Sequence, residues 1–556
     1  MPRRSIRRLR QCSRRNGPIS IRTPLALLLL SLGIIAGIWW WLAMPIRLAH
    51  APLEKDAKLE CVSYAPFRDG QSPLVKGTEI PPEQIAQDFA QLAKISKCVR
   101  TYSVQNGLDK APELARKAGL KLLLGIWLGG NRVDNQNEII TASELAKAYP
   151  DVISGIVVGN EVLLRGEMTA ADLAATIRQV KARVKVPVTY ADVWEYWLRN
   201  RAIYDAVDFV TIHILPYWED LPIPARYAAT HVDTIRKRVA VAFPGKEILI
   251  GETGWPSMGR MREGALPSRA NQARVVSEIL QLAKREHFRV NLIEAYDQPW
   301  KRRLEGTVGG YWGLFDARTR ALKYPIGQPI INFPLWKQEM AAGMGLSVLI
   351  FAVALWRARR RPWAPRLVWW LGVFLSATVA GCLLGVAYDK MIHESLGVGG
   401  WLRWGALLAA GVLAPLLSAS ALMSGRPLPT FLDLIGPRGS RVTMLPHILL
   451  GLTLAVTTVI AAETALGFVF DPRYRDFPFA SLTMAVVPFW TLMMFNRPRD
   501  GARPIAEAVF AALLAMSAIF IAFNEGPRNW QAMWSCAIYL LLAVTLWRAR
   551  AVQSRG

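Results

Sequence analysis

The segment GIVVGNEVLL, residues 155–164, is a run of strand-forming residues that closes on Asn160 and Glu161. A second run, ILIGETGWPS at 248–257, closes on Glu252 in the same manner. Short aliphatic runs of this kind read as buried strands, so each acid stands at a strand end. A single such acid reads as a surface residue or a helix cap. Two of them, flanked by Asn160 and Trp255, read as a pair of carboxylates aimed at one place. Carboxylates facing one cleft suit glycosidic cleavage, in which one protonates the departing oxygen and the other attacks the anomeric carbon to give a glycosyl-enzyme. The acid must then be held protonated and the nucleophile ionised by their surroundings.

For acids this distant in the chain to meet, the strand ends must converge. Between 59 and 325 the sequence alternates apolar runs with helical patterns. Strands are expected at LECVSYAPF, KCVRTYSV, LKLLLGIWLG, ISGIVVGNEV, VPVTYADVW, VDFVTIHIL, EILIGETGW and RVNLIEAYDQPW. Helices are clearest at 82–95, with Ile85, Phe89 and Leu92 on one face, and at 170–184, with Leu173, Ile177, Val180 and Val184. Eight strand–helix repeats predict an α/β fold, a (β/α)8 TIM barrel, with functional residues at the C-terminal strand ends. An open doubly wound sheet is disfavoured, because no Gly-rich phosphate turn follows the first strand.

The motifs VVGNEV, ILIGETGWPS and WGLFD, with CVRTYS and PYW, resemble glycoside hydrolase family 17 of clan A, over about 59–325. The resemblance implies a β-1,3-glucan hydrolase or glucanosyltransferase with Glu161 as general acid/base, Glu252 as nucleophile and Asn160 on the sugar 2-hydroxyl. Arg100, Tyr102 and Tyr217 are candidates for keeping the nucleophile ionised and oriented. Trp300 is a candidate floor for a sugar ring. Lys301 and Glu305, in WKRRLEG, resemble the family's cleft lysine and glutamate, and Tyr64, Asp192, Trp194 and Trp255 are candidate subsite walls. His213, in VTIHIL, reads as a buried, hydrogen-bonded histidine rather than a catalyst, and Glu294 and Asp297 as structural acids. No cofactor is expected, and no set of metal ligands is visible.

The formal net charge is +25 and the mean hydropathy is positive. The arginines explain the charge without nucleic acid. Residues 1–22 hold eight of them and no acid, and further groups flank long apolar stretches: Arg357, Arg359, Arg360, Arg361 and Arg366, then Arg426, Arg438 and Arg441, then Arg497, Arg499 and Arg503, then Arg548, Arg550 and Arg555. This is the positive-inside pattern of a membrane protein, so lipid rather than nucleic acid is the expected partner. The division expected is a basic cytoplasmic tail (1–22), an uncleaved anchor (23–44), a linker (45–58), the barrel (59–325), a linker (326–338), seven further crossings (339–547) and a cytoplasmic tail (548–556). Both termini then lie inside and the barrel outside, in the periplasm of a Gram-negative inner membrane. Glu463 and Glu507 are expected at the interface. Cys61 and Cys98 fall in the exported part, where both a disulfide and two reduced, buried cysteines remain open.

A barrel fixed beside the membrane suits remodelling of emerging glucan more than degradation. Membrane-bound bacterial relatives of this plan, in cyclic β-(1,3),(1,6)-glucan synthesis, imply transfer to β-1,6 or β-1,3 linkages. A hydrolytic endo-β-1,3-glucanase and a non-catalytic glucan-binding or export protein are the alternatives. A processive synthase is disfavoured, since no cytoplasmic loop is long enough and no Q-x-x-R-W motif occurs, so a separate membrane glucan synthase is the expected source of donor.

Overall fold

The structure is a computed structural model and describes residues 21–49, 58–324, 329–361, 365–435, 444–496 and 501–551. The tail before Ile21, much of the first linker, residues 325–328, and Arg438, Arg441, Arg497, Arg499 and Arg555 lie outside the described residues.

Eight strands form a closed, all-parallel barrel in sequence order: β1 (Cys61–Ser63), β2 (Cys98–Arg100), β3 (Lys121–Ile126), β4 (Ile153–Asn160), β5 (Val188–Val193), β6 (Val210–His213), β7 (Ile248–Thr253) and β8 (Arg289–Leu292). β8 pairs back onto β1 through Cys61↔Asn291 and Val62↔Leu292. Helices cross between the strands and bury one stripe each. Pro82–Leu92 buries Ile85, Phe89 and Leu92, and Ala170–Lys181 buries Leu173, Ile177 and Val180. The second helix is capped by the Thr169 hydroxyl, which accepts from the Asp172 amide. One end of the barrel interior is closed by Cys61, Leu123, Val157, Ala191, Phe209 and Leu249. Farther along stand polar groups that satisfy one another: Asn291 Nδ2 donates to Ser63 Oγ and the Gly251 carbonyl, and the Thr189 and Thr211 hydroxyls lie 2.9 Å apart. The interior therefore turns polar towards one end, where polar side chains are left available. Cys61 and Cys98, the first residues of β1 and β2, form a disulfide, which settles the alternative left open by the sequence.

The rest of the chain is helical. Among the described residues, seven helices are by length and composition apolar enough to cross a membrane: Arg22–Leu42, Trp336–Arg359, Leu367–Glu394, Gly397–Ser424, Leu445–Phe470, Ile505–Glu525 and Trp530–Trp547. Phe479–Phe495 is a shorter apolar helix at the place of the one remaining expected crossing, the sixth in chain order. At 1.5 Å per residue it is about 25 Å long, near the thickness of a hydrocarbon core. The helix Arg22–Leu42 joins the later ones: Ser31 meets Ser347 and Thr378 through hydroxyl contacts of 3.0 and 2.8 Å, and Ile35 and Trp39 are buried against Phe333, Trp336 and Met340. The chain on either side of the barrel passes through a common neck, where Ile46 and Ile330 exchange two backbone hydrogen bonds.

One end of the bundle gathers the arginine-bearing segments. Arg357 Nε donates to Ser420, Asn496 to the Arg426 carbonyl, and the Ala551 amide to Ala502. The opposite end packs on the barrel. Glu463 is half exposed beside Arg403 and Arg475. Glu507 lies in the first turn of Ile505–Glu525, is wholly buried, and accepts from the Phe431 amide at 2.6 Å.

Candidate active site

β4 ends in a turn set by local backbone. Gly159 has φ +86, and a Cβ there would stand 2.7 Å from Val162 Cγ2. Glu161 itself has φ 52, a left-handed conformation costing a non-glycine residue roughly 1–2 kcal/mol. Surrounding bonds hold it there. The Glu161 amide donates to the Ala191 carbonyl at 2.8 Å, and Asp192 Oδ2 accepts from the Leu163 and Leu164 amides and the Tyr190 hydroxyl. Asp192 is fully buried. It therefore clamps the backbone behind Glu161 instead of lining a subsite, and burial together with the Glu161 charge pushes its carboxyl up to about 6.

Glu252 arrives on β7 in register with His213 of β6. Its Oε1 accepts from the Tyr102 hydroxyl at 2.8 Å and Arg100 Nη1 at 3.2 Å. Arg100 is completely buried and donates twice more, to the Gly251 carbonyl at 2.8 Å and to Asn160 Oδ1 at 2.5 Å. One guanidinium thus ties the end of β4 to the end of β7 with charge-assisted bonds. Burial, and next the Glu252 charge, push the Tyr102 hydroxyl far up, so it is a proton donor towards Glu252 at any ordinary pH.

His213 lies between the two acids. Its Nδ1 is 2.8 Å from Glu161 Oε1, and its Nε2 is 3.6 Å from Glu252 Oε1 and 3.4 Å from Arg100 Nη1. One donor atom each from Glu161, His213 and Glu252 lie within 4.8 Å of one another. That spacing could hold a metal ion, a grouping not visible in the sequence. One of the two Glu252 oxygens, Oε1, already carries bonds from Arg100 and Tyr102. The buried, hydrogen-bonded state expected for His213 is present, but its partners are the two acids themselves. The missed signal is positional: His213 ends β6 just as Glu252 stands near the end of β7, and the strand-end rule applied to the glutamates applies equally to it.

Burial pushes the Glu161 carboxyl up. The hydrogen bond and charge of His213, followed by the charges of Lys301 and Arg100, outweigh burial, so the group lies below the ordinary glutamate value. Its side chain is 23% exposed, against 7% for Glu252. The side chains around Glu161 therefore favour its ionised form, whereas the sequence argument requires a protonated acid.

The remaining candidates divide. Trp300 is half-buried, bonded through Nε1 to Gln298 at 2.8 Å, and packs edge-on against Phe67 at 6.2 Å. Lys301 is ion-paired with buried Glu294, and burial, only partly offset by that lysine, pushes Glu294 up to about 7. Glu305 is raised by burial, with the Lys301 charge opposing and the charges of Glu161 and Glu252 adding to the rise. Asp297 pairs with Lys323 at 2.6 Å. By contrast Tyr64, Tyr217 and Trp255 are wholly buried, and their polar atoms bond elsewhere. Tyr64 donates to Asp88, Tyr217 to the Arg260 carbonyl and Trp255 to the Leu266 carbonyl. Trp194, nearly buried, points its indole N–H towards Glu219 at 3.4 Å. The structure brings together Arg100, Tyr102, Asn160, Glu161, His213 and Glu252, with Lys301 and Glu305 close by.

Comparison with known proteins fits this geometry. Residues 61–313 match the model of the BtgE/BtgC glycoside hydrolase domain. The glucan 1,3-beta-glucosidase BGL2 of Candida albicans is 28% identical over 262 residues, covering 43% of this chain and 84% of that protein. The probable beta-glucosidase btgE of Aspergillus fumigatus is 30% identical over 227 residues, covering 39% of each. Among solved structures, a glycoside hydrolase family 17 beta-1,3-glucanosyltransferase from Rhizomucor miehei is 25% identical, with a TM-score of 0.42, over 48% of this chain and 95% of that one. An active-site mutant of that glucanosyltransferase in complex with laminaritriose has a TM-score of 0.43, over 49% and 97%. Residues 61–313 are thus similar to the BtgE/BtgC glycoside hydrolase domain, and the chain that carries them is an enzyme.

Proposed function

We propose that the protein is a membrane-bound retaining transglycosylase that cuts β-1,3-glucan and transfers the glycosyl fragment to another glucan, forming β-1,6 or β-1,3 linkages. The observation that carries this is the approach of Glu161 and Glu252 oxygens to within 4.8 Å of each other at one barrel mouth. Retaining glycosidases hold their carboxyl groups about 5–5.5 Å apart, whereas inverting ones leave room for a water between them. The named relatives, a glucan 1,3-beta-glucosidase and a beta-1,3-glucanosyltransferase, support the substrate class.

In the first step a Glu252 oxygen attacks the anomeric carbon, the glycosidic C–O bond breaks, and the departing oxygen takes a proton from Glu161. Arg100 and Tyr102 aim the attacking carboxylate, and Asn160, held by Arg100, is placed to meet the 2-hydroxyl. A sugar ring seated between the acids removes water from Glu161, which strengthens the upward pull of burial and favours its protonated form. In the second step an acceptor hydroxyl gives its proton to Glu161 and attacks the same carbon, releasing Glu252. Water in place of the acceptor gives hydrolysis, and water exclusion tips the balance towards transfer. The apolar helices, with arginine-bearing segments gathered at the end away from the barrel, support a multi-pass inner-membrane protein with the barrel in the periplasm and both termini inside. A separate membrane synthase would supply the donor.

Incubation of detergent-solubilised protein with laminari-oligosaccharides tests the reading. Products longer than the input mean transfer, shorter ones alone mean hydrolysis, and an unchanged mixture overturns both. Glu252→Ala should abolish either activity.

A further inference from the structure

The loops that follow β7 and β8, on the face where Glu161 and Glu252 stand, are joined to the helical region. Arg260, after β7, is nearly buried. It donates to Glu525 Oε1 at 2.5 Å and to the Pro472 carbonyl, and its guanidinium lies over Phe477 at 5.1 Å. The next residue is held at both of its backbone groups: the Met261 amide donates to Gln531 Oε1 at 2.9 Å, and its carbonyl accepts from Asn529 Nδ2 at 3.0 Å. After β8, Arg302 donates to the Ser395 carbonyl at 2.8 Å and Thr307 to Asp476 Oδ2 at 2.7 Å. A Cβ on Gly306 would stand 2.6 Å from the Tyr474 carbonyl oxygen. After β6, Trp218 packs edge-on against Tyr474 at 6.2 Å.

These contacts lie on the same short segments that carry cleft residues. Lys301 immediately precedes Arg302, and Glu305 precedes Gly306, so the stretch Pro299–Gly309 presents one side to Glu294 and the two acids and the other to the bundle. The two loops also lock each other, because a Cβ on Gly259 would stand 2.3 Å from Val308 Cγ2. A simple anchor needs none of this: a buried arginine–glutamate pair and two side-chain amides on one peptide specify position, not attachment.

We propose that the helical region is part of the active-site scaffold: Glu525, Asn529, Gln531 and Asp476 are positioning residues that set the Pro299–Gly309 segment, and with it Lys301 and Glu305, against the catalytic acids. This rests on the transglycosylase reading for its kinetic expression, though not for its structural one. The dock also walls the cleft on its β6–β8 side with the membrane part of the same chain, so glucan enters from the remaining sides.

The test uses the full chain in detergent with laminaritriose and the near-isosteric variants Glu525→Gln and Asp476→Asn. Both should lower kcat/KM about tenfold or more, since a misplacement of about 1 Å at reacting groups can cost roughly a hundredfold. Amide hydrogen exchange should rise within 299–309 and not across the barrel helices. The basic limb of the pH–rate profile should move upward as the Lys301 charge draws away from Glu161. Arg260→Gln combined with Glu525→Gln should fall no further than either alone. Unchanged exchange and an unmoved limb in both variants would overturn the proposal, as would a rise in exchange spread evenly over the barrel. If wild-type protein leaves laminaritriose untouched, the transglycosylase reading fails, and exchange within 299–309 still decides the dock.

Discussion

Replacing His213 by leucine offers a direct measure of how the cleft controls its proton. Leucine nearly conserves volume and removes both ring nitrogens, while Arg100 keeps its bonds to the Gly251 carbonyl, Asn160 and Glu252. What Glu161 loses is a 2.8 Å contact with a fully buried donor. A hydrogen bond to a charged group contributes about 1.5–3 kcal/mol, and 1.36 kcal/mol corresponds to one pKa unit, so the loss is worth roughly 1–2 units. The sign follows from the opposing contributions. His213 is the chief influence that lowers Glu161, and burial, which raises it, stays. The carboxyl therefore rises in the variant. Because bond cleavage needs Glu161 protonated, the basic limb of kcat/KM against pH should move to higher pH by about 1–2 units, even if maximal kcat falls. The assay is the initial rate of laminari-oligosaccharide consumption across pH, with circular dichroism confirming the fold. A basic limb that stays put, or moves down, would refute the assignment of His213 as the group that holds Glu161 ionised.

Other outcomes follow from the same contacts. Trp300→Ala should raise KM about tenfold with kcat nearly kept, as loss of an aromatic face costs on the order of 1 kcal/mol or more; a change in kcat alone would place Trp300 outside the sugar path. Asp192→Ala removes the clamp on the Leu163 and Leu164 amides and should lower kcat roughly a hundredfold, through displacement of Glu161 rather than weaker binding, read from kcat and KM separately. The Cys61–Cys98 bridge spans a sequence separation of 37, for which loop-closure entropy gives about 4 kcal/mol. Reduction, or Cys61→Ser with Cys98→Ser, should therefore lower the unfolding temperature of the barrel in a calorimetric scan.

The eight strands were legible because each apolar run is bounded and alternates with an amphipathic helix, and because two runs end in an acid. The helical region was legible for a different reason: long apolar stretches need no partner to be recognised. What remained hidden depends on the direction of side chains. Tyr64, Tyr217 and Trp255 stand near strand ends in the sequence, yet they bond to Asp88, Arg260 and Leu266 in the packed shell. An aromatic residue serves a core and a sugar-binding wall equally well, so its type alone decides nothing. His213 was hidden by the same ambiguity in reverse, since a histidine within an apolar run looks like a satisfied core residue. The docking of Arg260 on Glu525 joins positions 265 apart, and no local pattern encodes such a pair.

The neck at Ile46 and Ile330 makes the barrel an insertion into a bundle whose first helix is made long before its neighbours. Ile35 and Trp39 find their partners only when Phe333, Trp336 and Met340 have been synthesised, so that helix must wait, half-packed, while the whole enzyme domain folds. Contacts of such long range are slow to form. The delay gives the strands an interval to close on themselves before the bundle draws them down and seals the neck.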